Sequence, residues 1–281
     1  MGFGNPVLLG ARRFAAGVDL GARNVTLVVL SQRIVGAGPV RLEWLAGAPL
    51  AREVMAGVEI VDRAAVVEAL RSVFGELPRA CAAASMRCAM ALPTSATLVA
   101  TVPLARLAPA AAIDDSGIHA GLEPFVLAEA ERVAGITLCA VDDEAHAALR
   151  AMRYAAVYEL PPLEPWVALW VGPEGVHGWY LVDDAVIRHM RFPALEHADL
   201  PEALRDLVGG EQAGCVQVSG ELAMLRGVNF SLADIGDALG APVLPFECGP
   251  LADIERPLAA TLLHDPACAV AFGLALRGVG E

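Results

Sequence analysis

Residues 17–31 read GVDLGARNVTLVVLS. Two apolar, β-branched runs flank residues 21–23, which predicts two antiparallel strands joined by a tight turn. Asp19 stands at the end of the first strand, where a carboxylate can hold a hydrated Mg²⁺, and Gly21 lets backbone N–H groups approach phosphate oxygens. Asn24 begins the second strand beside them. The alternative interpretation is that this Asp-x-Gly sequence only makes a hairpin turn.

A pattern of three consecutive strands occurs twice in the chain. We predict the first set at Phe14–Leu20, Asn24–Ser31 and Gly38–Trp44, and the second at Trp166–Val171, Gly175–Val182 and Ala185–Phe192. Each set is followed by helices and strands, and a Pro-rich stretch from Glu159 to Pro165 separates them. This duplication indicates an α/β fold in which two halves face each other across a cleft.

Hydrophobic periodicity predicts the remaining elements. We expect helices after Asp62, from Pro124 to about Ala134, after Asp142, and at Asp199–Val208, Gly220–Gly227, Ser231–Leu239 and Pro266–Leu276. We expect further strands at Arg87–Leu92, Leu98–Leu104, Ile136–Val141, Cys215–Val218 and near Val243. Asp62 and Asp142 are predicted N-caps, because a carboxylate accepts hydrogen bonds from the free N–H groups of a first helical turn.

The second hairpin turn, within Leu169–Gly175, carries a glycine at the same place as the first turn. Gly172 is therefore a candidate phosphate-binding position. Trp170 stands where a second Asp is expected, and Pro173 has no N–H group to donate.

Two other segments offer candidate nucleotide-binding residues. Ser219 and Gly220 follow a strand, and a helix that begins there has free N–H groups for a phosphate or an adenosine. The alternative is that Ser219 is an ordinary helix cap. Asp142 precedes a predicted helix near the cleft and could position a metal-bound water. The alternative is that acidic residues 142–144 only stabilise the helix dipole.

Composition excludes several classes of function. The chain has 281 residues, 56% of them hydrophobic, and a formal net charge of −13. All 20 basic residues are Arg, so mechanisms that need a Lys ammonium group, including the Walker A motif and Schiff bases, are excluded. Since no basic stripe occurs, we expect no nucleic-acid binding. The six Cys include no Cys-x-x-Cys pair and the six His are scattered, which predicts reduced thiols and no metal site.

No segment has the pattern of a membrane anchor. Residues 88–105 form the longest uncharged stretch, but they include two Pro residues and several hydroxyl side chains, which predicts buried strands. The N-terminus lacks the apolar core of a secretory signal. We therefore expect a cytoplasmic protein without a membrane span.

The order of these motifs resembles the PilM family of type IV pilus assembly proteins, which are actin-like ATPases. Residues 17–31 are similar to its first phosphate motif, and residues 91–104 to the strand pair that opens its inserted subdomain. Residues 134–151 are similar to its strand-Asp-helix segment, residues 219–243 to its adenosine-side motif and residues 265–278 to its last helix.

The resemblance implies an actin-like fold with two ribonuclease-H-like halves, at residues 14–160 and 166–277, around a central cleft. A shortened inserted subdomain is expected at about residues 89–124. ATP with Mg²⁺ would bind through the candidate residues Asp19, Gly21, Asn24, Asp142, Gly172, Ser219 and Gly220. Thr26 stands where the family usually has Lys, and Trp170 where it has a second Asp. These departures predict weak or lost nucleotide binding and leave catalysis uncertain.

The resemblance also implies partners at the inner membrane. The family binds the cytoplasmic N-terminal tail of PilN, a bitopic membrane protein, within the pilus assembly platform. We expect the apolar strands at Met90–Leu104 to form one wall of the groove for such a tail, with Leu98 and Val102 in contact with it. The alternative is that these are plain core strands. The acidic chain favours a tail that carries Arg or Lys.

Two other functions remain open. One is an ATP-binding enzyme of the actin and sugar-kinase superfamily, which Trp170 and the missing Lys disfavour because phosphoryl transfer needs charge placed against the phosphates. The other is an actin-like scaffold of type II secretion or cell division. The sequence ends directly after its last predicted helix, without the membrane segment expected of those scaffolds, which favours the pilus interpretation.

Overall fold

The computed structural model describes most of the chain. The described residues are 11–21, 23–35, 38–51, 54–56, 59–82, 86–92, 97–98, 118–119, 137–160, 164–173, 175–193, 199–251, 258 and 260–280. Within them the chain forms two five-stranded sheets, two short two-stranded ribbons and the helices that cover the sheets.

The first half of the chain forms the first large sheet. Its strands are β1 Arg12–Leu20, β2 Asn24–Arg33, β3 Arg41–Pro49, β6 Arg87–Leu92 and β9 Thr137–Asp143. The two ribbons pair β4 Met55–Ala56 with β5 Glu59–Ile60, and β7 Thr97–Leu98 with β8 Ile118–His119. The helices of this half are α1 Arg63–Gly75, α2 Arg79–Ala82 and α3 Glu144–Glu159.

The second half forms the second large sheet. Its strands are β10 Trp166–Gly172, β11 Gly175–Val182, β12 Ala185–Pro193, β13 Cys215–Gly220 and β14 Val243–Pro245. The helices are α4 Leu200–Val208, α5 Ala223–Arg226, α6 Leu232–Leu239, α7 Ala260–Leu263 and α8 Ala269–Gly280, with 3₁₀ turns at Gly249–Leu251 and Pro266–Cys268.

The two large sheets have the same strand order. The first runs β3-β2-β1-β6-β9 and the second runs β12-β11-β10-β13-β14. In both, the first three strands pair antiparallel and the last two pair parallel to their neighbours. The predicted duplication of a three-strand meander is therefore confirmed. The central strands are apolar on both faces because helices cover both sides of each sheet.

Helices α3 and α8 lie between the two sheets and join the halves. A Cβ atom at Gly273 of α8 would stand 1.8 Å from the carbonyl oxygen of Ala147 in α3, so only glycine permits this crossing. Gly17 of β1 allows an equally close approach, because a Cβ there would lie 2.0 Å from the carbonyl oxygen of Ala271. The last helix, which the sequence places in the second half, thus packs on the first sheet.

The outer faces of the sheets carry their own helices. Helix α1 covers the first sheet with Val66, Leu70 and Val73, and helices α4 and α6 cover the second. Asp62 caps α1 as predicted, since its Oδ1 atom accepts a hydrogen bond from the Ala65 N–H at 3.1 Å.

Three local predictions were wrong. Asp143, not Asp142, caps α3, because β9 continues through residue 143. Strand β13 continues to Gly220 and α5 begins only at Ala223, so no helix starts at Gly220. Ser219 is therefore a strand residue and not a cap. The predicted helix at 124–134 and most of the predicted insert at 89–124 lie outside the described residues.

Candidate functional site

The hairpin turns of the two halves meet at one small cavity of about 30 Å³. Five predicted site residues line it, namely Asp19, Gly21, Asn24, Gly172 and Gly220. Trp170, Glu144 and Glu221 line it too, although no sequence motif indicated a role for Glu221. A cavity needs about 10–15 Å³ of water-accessible volume to hold one water molecule. The cavity therefore has room for one or two water molecules and not for a nucleotide.

Asp19 is a carboxylate in an unfavourable environment at the end of β1. Its Oδ1 atom is buried and accepts no hydrogen bond. Burial, and next the negative charge of Glu221, raise its pKa from 3.8 to about 7. Near pH 7 the Asp19 side chain is therefore present both as the protonated acid and as the carboxylate. Its unpaired buried oxygen can accept a bond from water or a cation.

The neighbouring turn residues are ordinary parts of a hairpin. The Asn24 side-chain amide donates to the Thr26 hydroxyl at 3.2 Å. A Cβ atom at Gly21 would approach the Asn24 Oδ1 atom to 3.0 Å, a contact that a small rotation of the amide relieves. Thr26 is buried in β2 and supplies no charge toward the cavity.

On the opposite side of the cavity, Trp170 fills the position that corresponds to Asp19. Its side chain is 3% exposed, and a Cβ atom added at Gly172 would stand 2.2 Å from its ring. His177 on β11 packs edge-on against it at a centroid distance of 5.5 Å. Burial lowers the pKa of His177 to about 4, so this imidazole is neutral at pH 7. Trp170 therefore makes this side of the cavity apolar and tightly packed.

Gly220 lines the cavity, and its backbone has a conformation that only glycine tolerates. Its φ is +91°, and a Cβ atom there would lie 2.1 Å from the carbonyl oxygen of Val171. The same carbonyl accepts the Glu221 N–H at 2.8 Å. Ser219 points away, since its hydroxyl donates to the Leu169 carbonyl oxygen at 3.4 Å. This turn presents a carboxylate to the cavity where the sequence analysis expected free N–H groups.

Asp142 does not line the cavity. Its Oδ2 atom lies 2.8 Å from a guanidinium nitrogen of Arg150 and 3.2 Å from one of Arg277, and its Oδ1 atom accepts the Asp143 N–H at 2.9 Å. Two ion pairs thus tie β9 to helices α3 and α8. Glu144, two residues later, is the acidic residue that reaches the cavity.

The lining does not fit an ATP phosphate chain. Three carboxyl groups, of Asp19, Glu144 and Glu221, border the cavity, and no Arg lies among its described lining residues. Like charges near phosphate oxygens repel them at short range in a buried site. Within the described ranges, no group of three or more His, Cys, Asp or Glu side chains is arranged to hold a metal ion.

The predicted partner groove lies mostly outside the described residues. Leu98 belongs to β7, which pairs with Ile118 of β8. Val102 is not among the described residues. Across the part of the chain that the structure describes, no helix has both the length and the apolar character to cross a membrane.

Comparisons with known proteins show which fold this architecture belongs to. No protein-family model matches the chain, and no curated protein matches its sequence. Its structure is similar to a chain of a PilM–PilN type IV pilus biogenesis complex, with a TM-score of 0.63 and 19% identity over 94% of this chain and 98% of the other. It is also similar to the ethanolamine utilization protein EutJ from Carboxydothermus hydrogenoformans, with a TM-score of 0.52 and 15% identity over 94% and 89%. The chain has the actin-like fold.

Proposed function

We propose that this protein is an actin-like scaffold of a type IV pilus assembly platform, with weak or lost nucleotide binding. It binds the cytoplasmic N-terminal tail of a PilN-like bitopic protein and sits at the inner membrane through that protein and other platform components. The observation that carries the proposal is the filled cleft. Trp170 and three carboxyl groups leave a cavity of about 30 Å³ where a working ATPase needs room and positive charge.

The retained architecture supports a binding role. Both halves keep complete sheets, and the layer of α3 and α8 between them is densely packed. The motifs resemble those of the PilM family in their order along the chain, and the fold matches a chain of a PilM–PilN complex over 94% of its length. A protein that has lost the chemistry of its cleft but kept its shape is suited to hold a partner.

A peptide titration tests the partner. The probe is a fluorescently labelled peptide that spans the cytoplasmic N-terminal residues of the bitopic protein encoded beside this chain. We expect saturable binding that weakens with salt, because the chain carries a net charge of −13. Replacement of Leu98 and Val102 by Ser is expected to weaken binding about tenfold or more. Replacement of the exposed Val186 and Ile187 by Ser is the matched control in the second half. No binding at low salt would refute the partner assignment.

One observation favours the second candidate, an ATP-binding enzyme of the actin and sugar-kinase superfamily. The buried Oδ1 atom of Asp19 has no hydrogen-bond partner, so it could accept a bond from a hydrated cation. Calorimetry with Mg-ATP separates the two candidates. The scaffold proposal expects a dissociation constant well above about 100 μM, whereas binding at about 1 μM, equal to about 8 kcal/mol, would favour the enzyme. ATP turnover that disappears in Asp19→Asn would decide for the enzyme.

A further inference from the structure

A second pocket, of about 500 Å³, lies at the far end of the first meander. Arg12 opens β1 and pairs across the strands with Arg33, the last residue of β2. Arg41 opens β3. All three arginines line the pocket, which we call the arginine pocket. Asp19 is seven residues from Arg12 along β1, about 23 Å at the rise of a strand, so this pocket is separate from the cleft.

The arginine pocket is electropositive in an otherwise acidic chain. The Glu43 Oε1 atom lies 3.8 Å from the Arg12 Nε atom and 3.6 Å from the Arg41 Nε atom, so one buried carboxylate serves two guanidinium groups. Among the described residues Arg33 has no ion-pair partner, and no acidic residue lines the pocket. Three arginines thus line one pocket in a chain whose formal net charge is −13.

The remaining walls are preformed and partly aromatic. Tyr154 accepts the Val40 N–H at 2.8 Å on its hydroxyl, and its ring packs on Phe272 of the core at a centroid distance of 6.0 Å. The Tyr158 ring, 5.3 Å from Tyr154, is 55% exposed. Leu251 of the second half, which packs against the central core, closes the pocket from the other side.

We propose that the arginine pocket binds a small ligand that carries an oxyanion, a phosphate or a carboxylate, next to a flat or apolar group. Guanidinium groups bind such oxyanions through two parallel N–H donors. Glu43, together with the Ser31 hydroxyl that accepts a hydrogen bond from the Arg12 Nε atom at 2.6 Å, fixes the side chains of Arg12 and Arg41 before a ligand arrives. The exposed Tyr158 ring offers the flat surface, and a volume of about 500 Å³ is in the range of small-molecule sites.

The test uses calorimetry on the full chain with probes that separate the two oxyanions. Adenosine 5′-monophosphate without Mg²⁺ carries a phosphate on its ribose next to a flat purine ring, and isophthalate carries two carboxylates on a flat ring. Adenosine and isophthalamide are their uncharged counterparts. At about 50 mM salt we expect at least one charged probe to bind with a dissociation constant near or below about 1 mM, and its uncharged counterpart about tenfold more weakly.

Matched variants locate the binding. Arg33→Gln should weaken the bound probe about tenfold, and Arg33→Lys less, because Lys keeps the charge but not the planar donor pair. Arg33 is exposed, so its replacement leaves the fold intact. Arg226→Gln removes an equally exposed guanidinium of the second half, and Asp19→Asn changes the distant cleft. We expect both to change affinity less than about twofold.

The outcomes are distinct. Binding of the phosphate probe or of the carboxylate probe with the Arg33 dependence supports the site and names its ligand class. If neither probe binds with a dissociation constant near or below about 1 mM, if the uncharged counterparts bind equally well, or if Arg33→Gln and Arg226→Gln have the same effect, the proposal is overturned.

Discussion

The two hairpin turns of this molecule have the same backbone position and opposite chemistry. Each follows the first strand of a five-stranded sheet, and each has a glycine two residues after the side chain that faces the cleft. In the first half that side chain is Asp19, with a buried unpaired oxygen and a raised pKa. In the second half it is Trp170, packed on a neutral His177. Duplicated backbones therefore fix where a site lies, but not what it binds.

The two ends of the first meander also differ in charge and in the size of their pockets. At the cleft end three carboxyl groups surround about 30 Å³, and at the other end three arginines surround about 500 Å³. An anion site needs room and positive charge. Of the two described pockets, only the arginine pocket at the far end of the meander has both. This contrast places the capacity for small anions away from the cleft that the fold leads one to expect.

Removal of Trp170 should give the largest effect on stability. Trp170→Ala is expected to lower the free energy of unfolding by about 3–5 kcal/mol, because it leaves a large void in the core between the halves. Trp44→Ala is the matched control in the first half, where the ring on edge strand β3 is only partly buried and should cost about half as much. Urea unfolding measures both. Equal losses would mean that Trp170 is no more tightly packed than Trp44.

The two equivalent glycines should respond unequally. Gly172→Ala forces a Cβ atom into the buried Trp170 ring and should cost about 1–3 kcal/mol. Gly21→Ala meets only the movable Asn24 amide and should cost less than about 1 kcal/mol. In the Trp170→Ala background the cost of Gly172→Ala should nearly vanish, since the two residues share one contact. A cost that stays unchanged there would place the strain elsewhere.

The sequence predicts the strands of the meanders well because alternation and β-branched residues report burial directly. The prediction fails where either of two neighbouring residues could cap a helix, or where a helix could pack on either of two sheets. Asp142 and Asp143 are both plausible caps, and only the length of β9 decides between them. The last helix is apolar on all sides, which predicts burial but not which sheet it contacts. Gly17 and Gly273 are the signals of that contact in retrospect.

The arginine pocket escapes sequence analysis for a related reason. Arg12, Arg33 and Arg41 are far apart in the chain, and each looks like an isolated surface charge. The hairpin register brings Arg12 opposite Arg33, and the next hairpin brings Arg41 opposite Ser31. A strand register derived from the turn at residues 21–23 could have found the first pair. The tyrosines of α3 could not have been placed, because packing between the halves sets their position.

Replacement of Asp19 by Asn should change how the free energy of unfolding depends on pH. Its folded-state pKa of about 7 exceeds the unfolded value of 3.8, so the folded state holds the proton more tightly. Its contribution to stability is fully present below about pH 4 and is lost as the pH rises to about 7. Asp19→Asn should therefore raise the free energy of unfolding by about 2 kcal/mol at pH 8 and change it little at pH 4, with solvent at the cavity reducing the full effect. Asp237→Asn, on an exposed face of α6, is the control.

Urea unfolding at pH 4, 6 and 8 measures this dependence. If the free energy of unfolding changes with pH between 4 and 8 in the same way in the wild type and in Asp19→Asn, then Asp19 ionises freely, as an exposed carboxylate does. The two turns would then differ in shape but not in electrostatics, and the cleft would be more open to a cation than its geometry indicates.

The smallest effect should come from Glu221, whose charge is the second cause of the raised pKa of Asp19 after burial. Glu221→Gln keeps the shape and the Glu221 N–H bond to the Val171 carbonyl but removes the charge. Because burial dominates, the pKa of Asp19 should fall by about 1 unit or less and stay above its ordinary range. The carboxyl chemical shift of Asp19, followed by NMR against pH, measures this directly, with Asp237→Asn as a charge-matched control that should leave the midpoint in place. A return of the midpoint to the ordinary range of an Asp in Glu221→Gln would show that repulsion between carboxylates, and not the apolar surroundings made by Trp170, sets the chemistry of the cleft. In that case a cation alone could relieve the repulsion, and the cleft would be suited to a cation rather than closed to ligands by its apolar packing.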